Sequence, residues 1–254
     1  MIREYLENKL SKLTRRKLRN LYNDIRAIGF AHNLDRLGNI YKTDKIGGHF
    51  YTPHYSTHFR KFKYKRISLL EIGVGGYENP HSGGNSLRMW KKFFPFGRIF
   101  GIDIHDKSAL QERRIKIFQG SQVDLNFLSN VTEETGELDI IIDDGSHIND
   151  HVIKTFKALF PKLKNGGVYV IEDTQTSYWK DFGGDSKDLR NPNTIMNYFK
   201  GLTDCLNHQE FLIPDYEQSY YDKKIISMHF YHNLIFICKG DNNEKSNIVV
   251  NHQK

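Results

Sequence analysis

The chain has 254 residues, a formal net charge of +7, and 38% hydrophobic, 26% charged and 13% aromatic residues. That balance excludes a disordered or membrane-embedded chain and fits one large α/β domain with a buried core. Two cysteines, Cys205 and Cys238, are too few and too far apart for a disulfide framework or a zinc-ligand spacing. No apolar run approaches the ~20 residues of a bilayer span and no signal-peptide core is visible, so no membrane span and a cytoplasmic location are expected. The positive charge leans towards an anionic partner; with acidic residues interleaved and no long basic tail, nucleic acid is not expected.

In chain order, residues 2–30 place Ile2, Leu6, Leu10, Leu13, Leu18, Leu21, Ile25 and Ile28 at intervals of three to five. This spacing predicts amphipathic helices with a packing or dimer face, and leaves a homo-oligomer open. A stretch rich in Gly, His and Tyr follows, TDKIGGHFYTPHYSTHF (43–59), whose Gly pair and Pro53 argue against a long helix.

From residue 67 short apolar runs alternate with helical segments. ISLLEIG (67–73), RIFGIDI (98–104), RIKIFQG (114–120), LDIIIDDG (138–145) and GVYVIEDT (167–174) read as five strands of a mostly parallel sheet. SLRMWKKFF, DLNFLSNV and HVIKTFKALFPKL read as the helices between them, with NGG as a helix stop ahead of the fifth strand. KIISMHFYHNLIFICKG reads as a closing hairpin about His-Asn, and the last residues as a tail.

Open α/β sheets bind ligands beyond the carboxyl ends of their strands, and here every strand ends in Gly, Asp or Glu. The first ends in Glu71-Ile-Gly73-Val-Gly75-Gly76-Tyr77, where glycines let a backbone turn approach a ligand. Such a turn serves dinucleotides as well as S-adenosylmethionine, and also occurs with no ligand. Tyr77 and Glu78 break the G-x-G-x-x-G dinucleotide pattern. Asp103 at the second strand tip is placed to accept hydrogen bonds from ribose hydroxyls. After the third strand, Gly120 and Ser121 offer small and polar groups beside an adenine.

The fourth strand supplies Asp143-Asp144-Gly145-Ser146-His147 and the fifth Glu172-Asp173. Their carboxylates raise one another's pKa unless a cation joins them, and hard oxygen donors suit magnesium, manganese or calcium. No basic residue lies nearby in sequence to do so. Solvated acidic turns are the alternative. His147, three residues past Asp144, is a candidate general base. His49, His54, His58, His81, His151, His229 and His232 show no ligand spacing among themselves.

Taken together, EIGVGGYENPHSGGNSLRMW, GIDIHDKS, IDDGSHIND and YVIEDTQTSYW resemble the metal-dependent macrolide-sugar O-methyltransferases of the mycinamicin and tylosin pathways, from about Thr43 to Lys239. The resemblance implies a Rossmann-like α/β fold with a mostly parallel seven-stranded sheet and a C-terminal antiparallel hairpin. It implies S-adenosyl-L-methionine as methyl donor, Mg2+ (or Mn2+), and a sugar hydroxyl as acceptor. Carried over by motif, Asp144, Glu172 and Asp173 would be metal ligands, and His147, with Asp144, would be catalytic. Glu71, Gly73, Gly75, Asp103, Gly120, Ser121 and Asp143 would form the cofactor site. The expected organisation is a helical extension (1–42), a transferase domain (43–240) and a tail (241–254). The 42 residues before Thr43 leave no room for the extra N-terminal domain of longer members, so the sugar is expected on a surface polysaccharide, a nucleotide or another natural product. The alternatives are methylation of a phenol or catechol, and a non-catalytic nucleotide-binding module.

Overall fold

The computed structural model describes residues 12–249. Seven strands, β1 (Ser68–Ile72), β2 (Arg98–Asp103), β3 (Ile115–Gln119), β4 (Leu138–Asp143), β5 (Leu163–Glu172), β6 (Ile225–Tyr231) and β7 (Leu234–Lys239), form one sheet in the order β3-β2-β1-β4-β5-β7-β6. β1 to β5 pair in parallel; β7 runs antiparallel between β5 and β6. The order reverses between β1 and β4, the switch point at which an open α/β sheet leaves a crevice.

Side chains alternate across the strands and feed two apolar layers. On one face Leu69, Ile140, Val168 and Phe236 pack with Leu37, Phe59 and Trp90, from α2 (Leu34–Tyr41), α3 (Thr52–Phe59) and α4 (Asn85–Phe93). On the other, Leu70, Ile102, Ile141 and Ile235 pack with Leu128, Phe156 and Phe199, from α5 (Leu125–Thr135), α6 (Asn149–Leu159) and α7 (Ile195–Gly201). Each fully buried large apolar side chain contributes about 1.5–3 kcal/mol by leaving water. The sequence starts these helices with local signals: Asp124 accepts from the N–H groups of Asn126 and Phe127 at 3.0 and 3.1 Å and caps α5.

One expectation is corrected and two are sharpened. NGG does not stop a helix, because β5 already begins at Leu163; the register against β4 jumps from Leu138↔Leu163 to Ile140↔Val168, so Asn165 to Gly167 form a bulge inside the strand. The 43–59 stretch contains an eight-residue helix, α3, with Pro53 in its first turn, where its missing N–H costs nothing. On α1 (Lys12–Arg26), Leu18, Leu21, Ile25 and, just beyond it, Ile28 are all more than half exposed, so they do not pack on the body of the chain and the dimer-face alternative stays open. Ile2, Leu6 and Leu10, and the side chain of Leu13, lie outside the described residues. What anchors α1 is polar, with Asp24 accepting from Tyr41 Oη at 2.7 Å and Arg88 Nη2 at 3.4 Å. Among the described residues no helix is long and apolar enough to cross a membrane.

Candidate active site

The tips of β1, β2 and β4 build the floor of a cleft. Gly73 has φ +91°, and a Cβ there would lie 2.0 Å from the carbonyl oxygen of Asp144, so only glycine lets the β1 and β4 tips approach this closely. Gly75 has φ +75° with nothing within 4 Å of an added Cβ; there the backbone conformation asks for glycine and the space beside it stays open. Asp103 ties the turn down, accepting from Val74 N at 3.0 Å and His105 N at 2.9 Å, one on each carboxylate oxygen. Each oxygen keeps a further lone pair for a ligand hydroxyl.

Gly73, Asp103, Gly120 and Ser121, with Ile72, Ile102 and Ile104, line a cavity of about 250 Å³. It continues into one of about 670 Å³ that shares Gly73, Asp103, Ile104 and Gly145 and adds Gly75, Asp144, His147 and Asp173. Glu71 and Asp143, expected beside the cofactor, lie behind this floor. Glu71 is fully buried, accepts from Trp90 Nε1 at 3.1 Å and meets Lys45 Nζ at 3.2 Å. Burial pushes its pKa up to about 7 against the pull of Lys45. Asp143 is buried against Gln122 Nε2 at 3.2 Å and is likewise pushed up to about 7 by burial. Gln122 in turn accepts from Ser146 N at 2.8 Å and so fixes the turn that carries His147. Protein groups hold both carboxylates from behind the floor, and Glu71 Oε1, beside Lys45, has no hydrogen-bond partner among the described residues.

The carboxylates at the β4 and β5 tips do converge, but with an unexpected cation among them. Lys45 is fully buried, with Nζ 2.7 Å from Asp144 Oδ2 and 2.6 Å from Glu172 Oε1. Burial opposes its charge, yet Asp144, Glu172 and Glu71 outweigh burial and raise its pKa well above the ordinary value. One ammonium does not balance three carboxylates: burial and the Asp144 charge hold Glu172 well above the usual carboxylate range, and burial also raises Asp144. Tyr55 Oη donates to the same Oε1 of Glu172, and Tyr51 Oη donates to Asp173 Oδ1 at 2.7 Å. Each of the three expected metal ligands is thus pinned through one oxygen, and Asp144 Oδ1, Glu172 Oε2 and Asp173 Oδ2 carry no hydrogen bond from the described residues.

His147 Nε2 lies 3.9 Å from Asp144 Oδ1 and 3.7 Å from Asp173 Oδ2. Donor atoms of Asp144, His147 and Asp173 gather within 4.8 Å, as do those of Glu71, Asp144 and Glu172, so Asp144 belongs to both groups. His147 (φ 55°) and Asp173 (φ 54°) both have left-handed backbones, a conformation that costs energy for non-glycine residues and concentrates at functional sites. Among the described residues Asp144, Glu172 and Asp173 are joined only through Asp144, which belongs to both groups; these hard oxygens with their net negative charge fit a magnesium ion by donor chemistry.

The sequence reading missed the 43–55 segment. It delivers Lys45, Tyr51 and Tyr55, and also His49, whose Nε2 lies 3.6 Å from Asp173 Oδ1 and whose ring stacks on Tyr51 at 4.7 Å. The visible signal was the density of Lys, His and Tyr around a Gly pair. No basic residue lies near these carboxylates in sequence, but the fold brings in Lys45, 99 residues away from Asp144. The histidines without ligand spacing also include two, His58 and His229, that meet Cys238 within 4.8 Å. There His58 stacks on Phe236 at 4.1 Å and bonds Tyr231 Oη at 3.0 Å.

A profile of the Rhamnosyl O-methyltransferase/CmcI family matches residues 83–238. Mycinamicin VI 2''-O-methyltransferase of Micromonospora griseorubida is 48% identical over 214 residues, which cover 84% of this chain and 54% of that protein. An 8-demethyl-8-(2-methoxy-alpha-L-rhamnosyl)-tetracenomycin-C 3'-O-methyltransferase of Streptomyces olivaceus is 42% identical over 214 residues, 84% of this chain and 55% of that one. The chain spans about half the length of the curated relatives it matches. The crystal structure of the MycE methyltransferase from the mycinamycin pathway, in complex with Mg and SAH, superposes with a TM-score of 0.81 at 47% identity, over 84% of this chain and 56% of that one. The seven-stranded sheet, its switch-point cleft and these matches together establish that the chain belongs to the Rhamnosyl O-methyltransferase/CmcI family.

Proposed function

We propose that the protein is a magnesium-dependent O-methyltransferase that moves the methyl group of S-adenosylmethionine to a sugar hydroxyl. The observation that carries this reading is one cleft with two unlike walls. The glycine turn and Asp103 form one wall, and His147 Nε2 stands within 4 Å of free oxygens of Asp144 and Asp173 on the other. Asp103 would accept the ribose hydroxyls, and Gly120 and Ser121 would flank the adenine. Asp144 Oδ1, Asp173 Oδ2 and Glu172 Oε2 would hold the magnesium. When bound, the donor supplies a methyl group on a sulfonium, and the metal supplies a Lewis acid that acidifies and orients the acceptor hydroxyl.

His147 would take the hydroxyl proton at Nε2 as the oxygen–methyl bond forms and the sulfur–methyl bond breaks. Lys45, Tyr51 and Tyr55 hold the three carboxylates in place from the far side, so little motion is needed to reach the reactive arrangement. Residues 43–240 are assigned to the transferase unit, residues 1–42 to an N-terminal helical extension and 241–254 to a tail. The setting is cytoplasmic, and the sugar is carried on a polysaccharide, a nucleotide or another natural product. The named acceptors of the relatives support a sugar over a phenol.

The test is methyl transfer from S-adenosylmethionine to a panel of rhamnose-bearing acceptors, followed by mass spectrometry with and without chelator. A product 14 Da heavier (one methyl for one hydrogen), lost on chelation and restored by magnesium, is expected. Transfer at full rate in metal-free protein would overturn the ligand assignment, and transfer to catechols alone would overturn the acceptor class.

A further inference from the structure

Beside the cleft a second cavity of about 800 Å³ opens between α1 and the glycine turn, within the size range of ligand pockets. Its wall carries Arg15, Arg16, Arg19 and Arg26 of α1 together with Lys42 and Arg88, and among the described residues no Asp or Glu lines it. Arg88 is neutralised, at 2.6 Å from Glu112 and 3.4 Å from Asp24. Arg16 donates through Nη2 to the carbonyl of Ala109, but its Nε and Nη1 are buried with no hydrogen-bond partner. Burial, then the Arg88 charge, lowers its pKa. Arg15 and Arg19 meet no carboxylate of the described residues. Like charges one turn apart on a helix repel, and a buried guanidinium with idle donors is costly. Both penalties are relieved by one ligand chemistry, a multiply charged oxyanion, for which guanidinium forks are the preferred donors.

The cavity is joined to the reaction site. Lys42, Ser82, Gly83 and Asn85 line both it and the space that holds Asp144 and His147, so the two spaces adjoin. Asp24, held by Tyr41 and Arg88, fixes α1 over the opening.

We propose that this cavity is an anion subsite for a phosphoryl group of the acceptor, so that the methylated sugar is carried on phosphate or pyrophosphate. The proposal rests on the reading of the adjoining cleft as the methyl-transfer site. A nucleoside-diphosphate sugar and a glycosyl phosphate share this chemistry, and the test separates them.

The experiment uses the full chain and Arg15→Gln/Arg19→Gln, with Lys154→Gln on the exposed face of α6 as a charge control. Calorimetry with inorganic pyrophosphate, in the presence of S-adenosylhomocysteine, should show binding to the wild type and the control, weakened about tenfold or more in the double variant. Arg15→Lys/Arg19→Lys should recover part of the loss. In methyl transfer, KM for a nucleoside-diphosphate-linked rhamnose or for rhamnose 1-phosphate should rise by a similar factor in the double variant, with kcat little changed. Whichever of the two has the lower wild-type KM identifies the carrier. Pyrophosphate that fails to bind the wild type, or binds the double variant equally, overturns the proposal. So does a neutral methyl rhamnoside methylated with the same kcat/KM as the phosphorylated sugars. Weakened S-adenosylhomocysteine binding in the double variant would assign the arginines to the cofactor carboxylate, which also overturns it. A wild type that binds no S-adenosylhomocysteine would overturn the reading of the cleft itself, and the subsite with it.

Discussion

Asp144 stands between two groups of charged residues that look alike in sequence and differ in physics. On its buried side, Glu71, Glu172 and Lys45 form a closed cluster in which every side chain is at most 2% exposed. On its open side, His147 and Asp173 are about one-fifth exposed and face the cleft. Burial raises the carboxylates of the closed group, and an internal ammonium answers them. The open group keeps free oxygens and an imidazole within reach of solvent and substrate. The same residue types therefore meet two environments, closed and internally paired on one side, open to the cleft on the other, and in the proposed reading Glu172 serves both, with Oε1 held by Lys45 and Oε2 left for the metal.

The first prediction attacks the open side. His147→Asn removes the base while tolerating the left-handed backbone, as Asn does. Turnover should fall about 10²- to 10⁴-fold, with the unfolding midpoint nearly unchanged and S-adenosylhomocysteine still bound. A variant that melts early but keeps its rate per folded molecule would return His147 to a turn-forming role.

Attacking the closed side should read out in stability instead. Lys45→Met leaves buried carboxylates without their ammonium and should cost about 3–5 kcal/mol in urea unfolding under chelation. Magnesium should restore part of that loss, because the freed oxygens face the same cation. An unchanged unfolding curve would show that Lys45 does not neutralise the cluster.

Asp103 lies on the glycine-turn wall of the cleft, outside both groups. Asp103→Ala should weaken S-adenosylhomocysteine by about 1.5–3 kcal/mol, and it also frees the N–H groups of Val74 and His105, so the glycine turn should gain hydrogen-exchange rate. Magnesium affinity should stay as it was, and a loss of magnesium instead of cofactor in calorimetry would remove Asp103 from the cofactor site.

The smallest effect calibrates the pH dependence. Burial, then repulsion from His229, lowers His58 from 6.5 to about 4. Between those values the unfolded chain binds the proton and the folded chain does not, so stability contributed here is lost as pH falls from about 6.5 towards 4. His58→Phe should flatten that limb of a urea-midpoint profile; an unchanged slope would mean that other groups, those around Asp144 included, carry it.

What could be read from the sequence was what the chain keeps local. Strand tips such as Glu71 to Gly75 and Asp143 to His147 announce themselves because strand, turn and functional side chain are consecutive. Asp124 capping α5 and Asn233 turning the β6–β7 hairpin are equally local. Lys45, Tyr51 and Tyr55 reach partners 99 to 127 residues away, and nothing in a loop's own composition says which carboxylate it will meet. The burial of Glu71 and Asp143 is a further thing a motif does not carry: both sit where a ligand-binding pattern puts an acid, behind the floor of the cleft.

In the proposed site the open oxygens of Asp144 and Asp173, with Glu172 Oε2, hold the divalent cation, and Lys45 is its fixed neighbour. The most direct measurement is electron paramagnetic resonance of Mn2+ added to chelator-treated protein, in the wild type, Asp144→Asn and Asp173→Asn. One ion per wild-type chain, displaced by magnesium, absent in Asp144→Asn and much weakened in Asp173→Asn, is the predicted result. No stoichiometric Mn2+ in the wild type, or undiminished binding in Asp144→Asn, would contradict it.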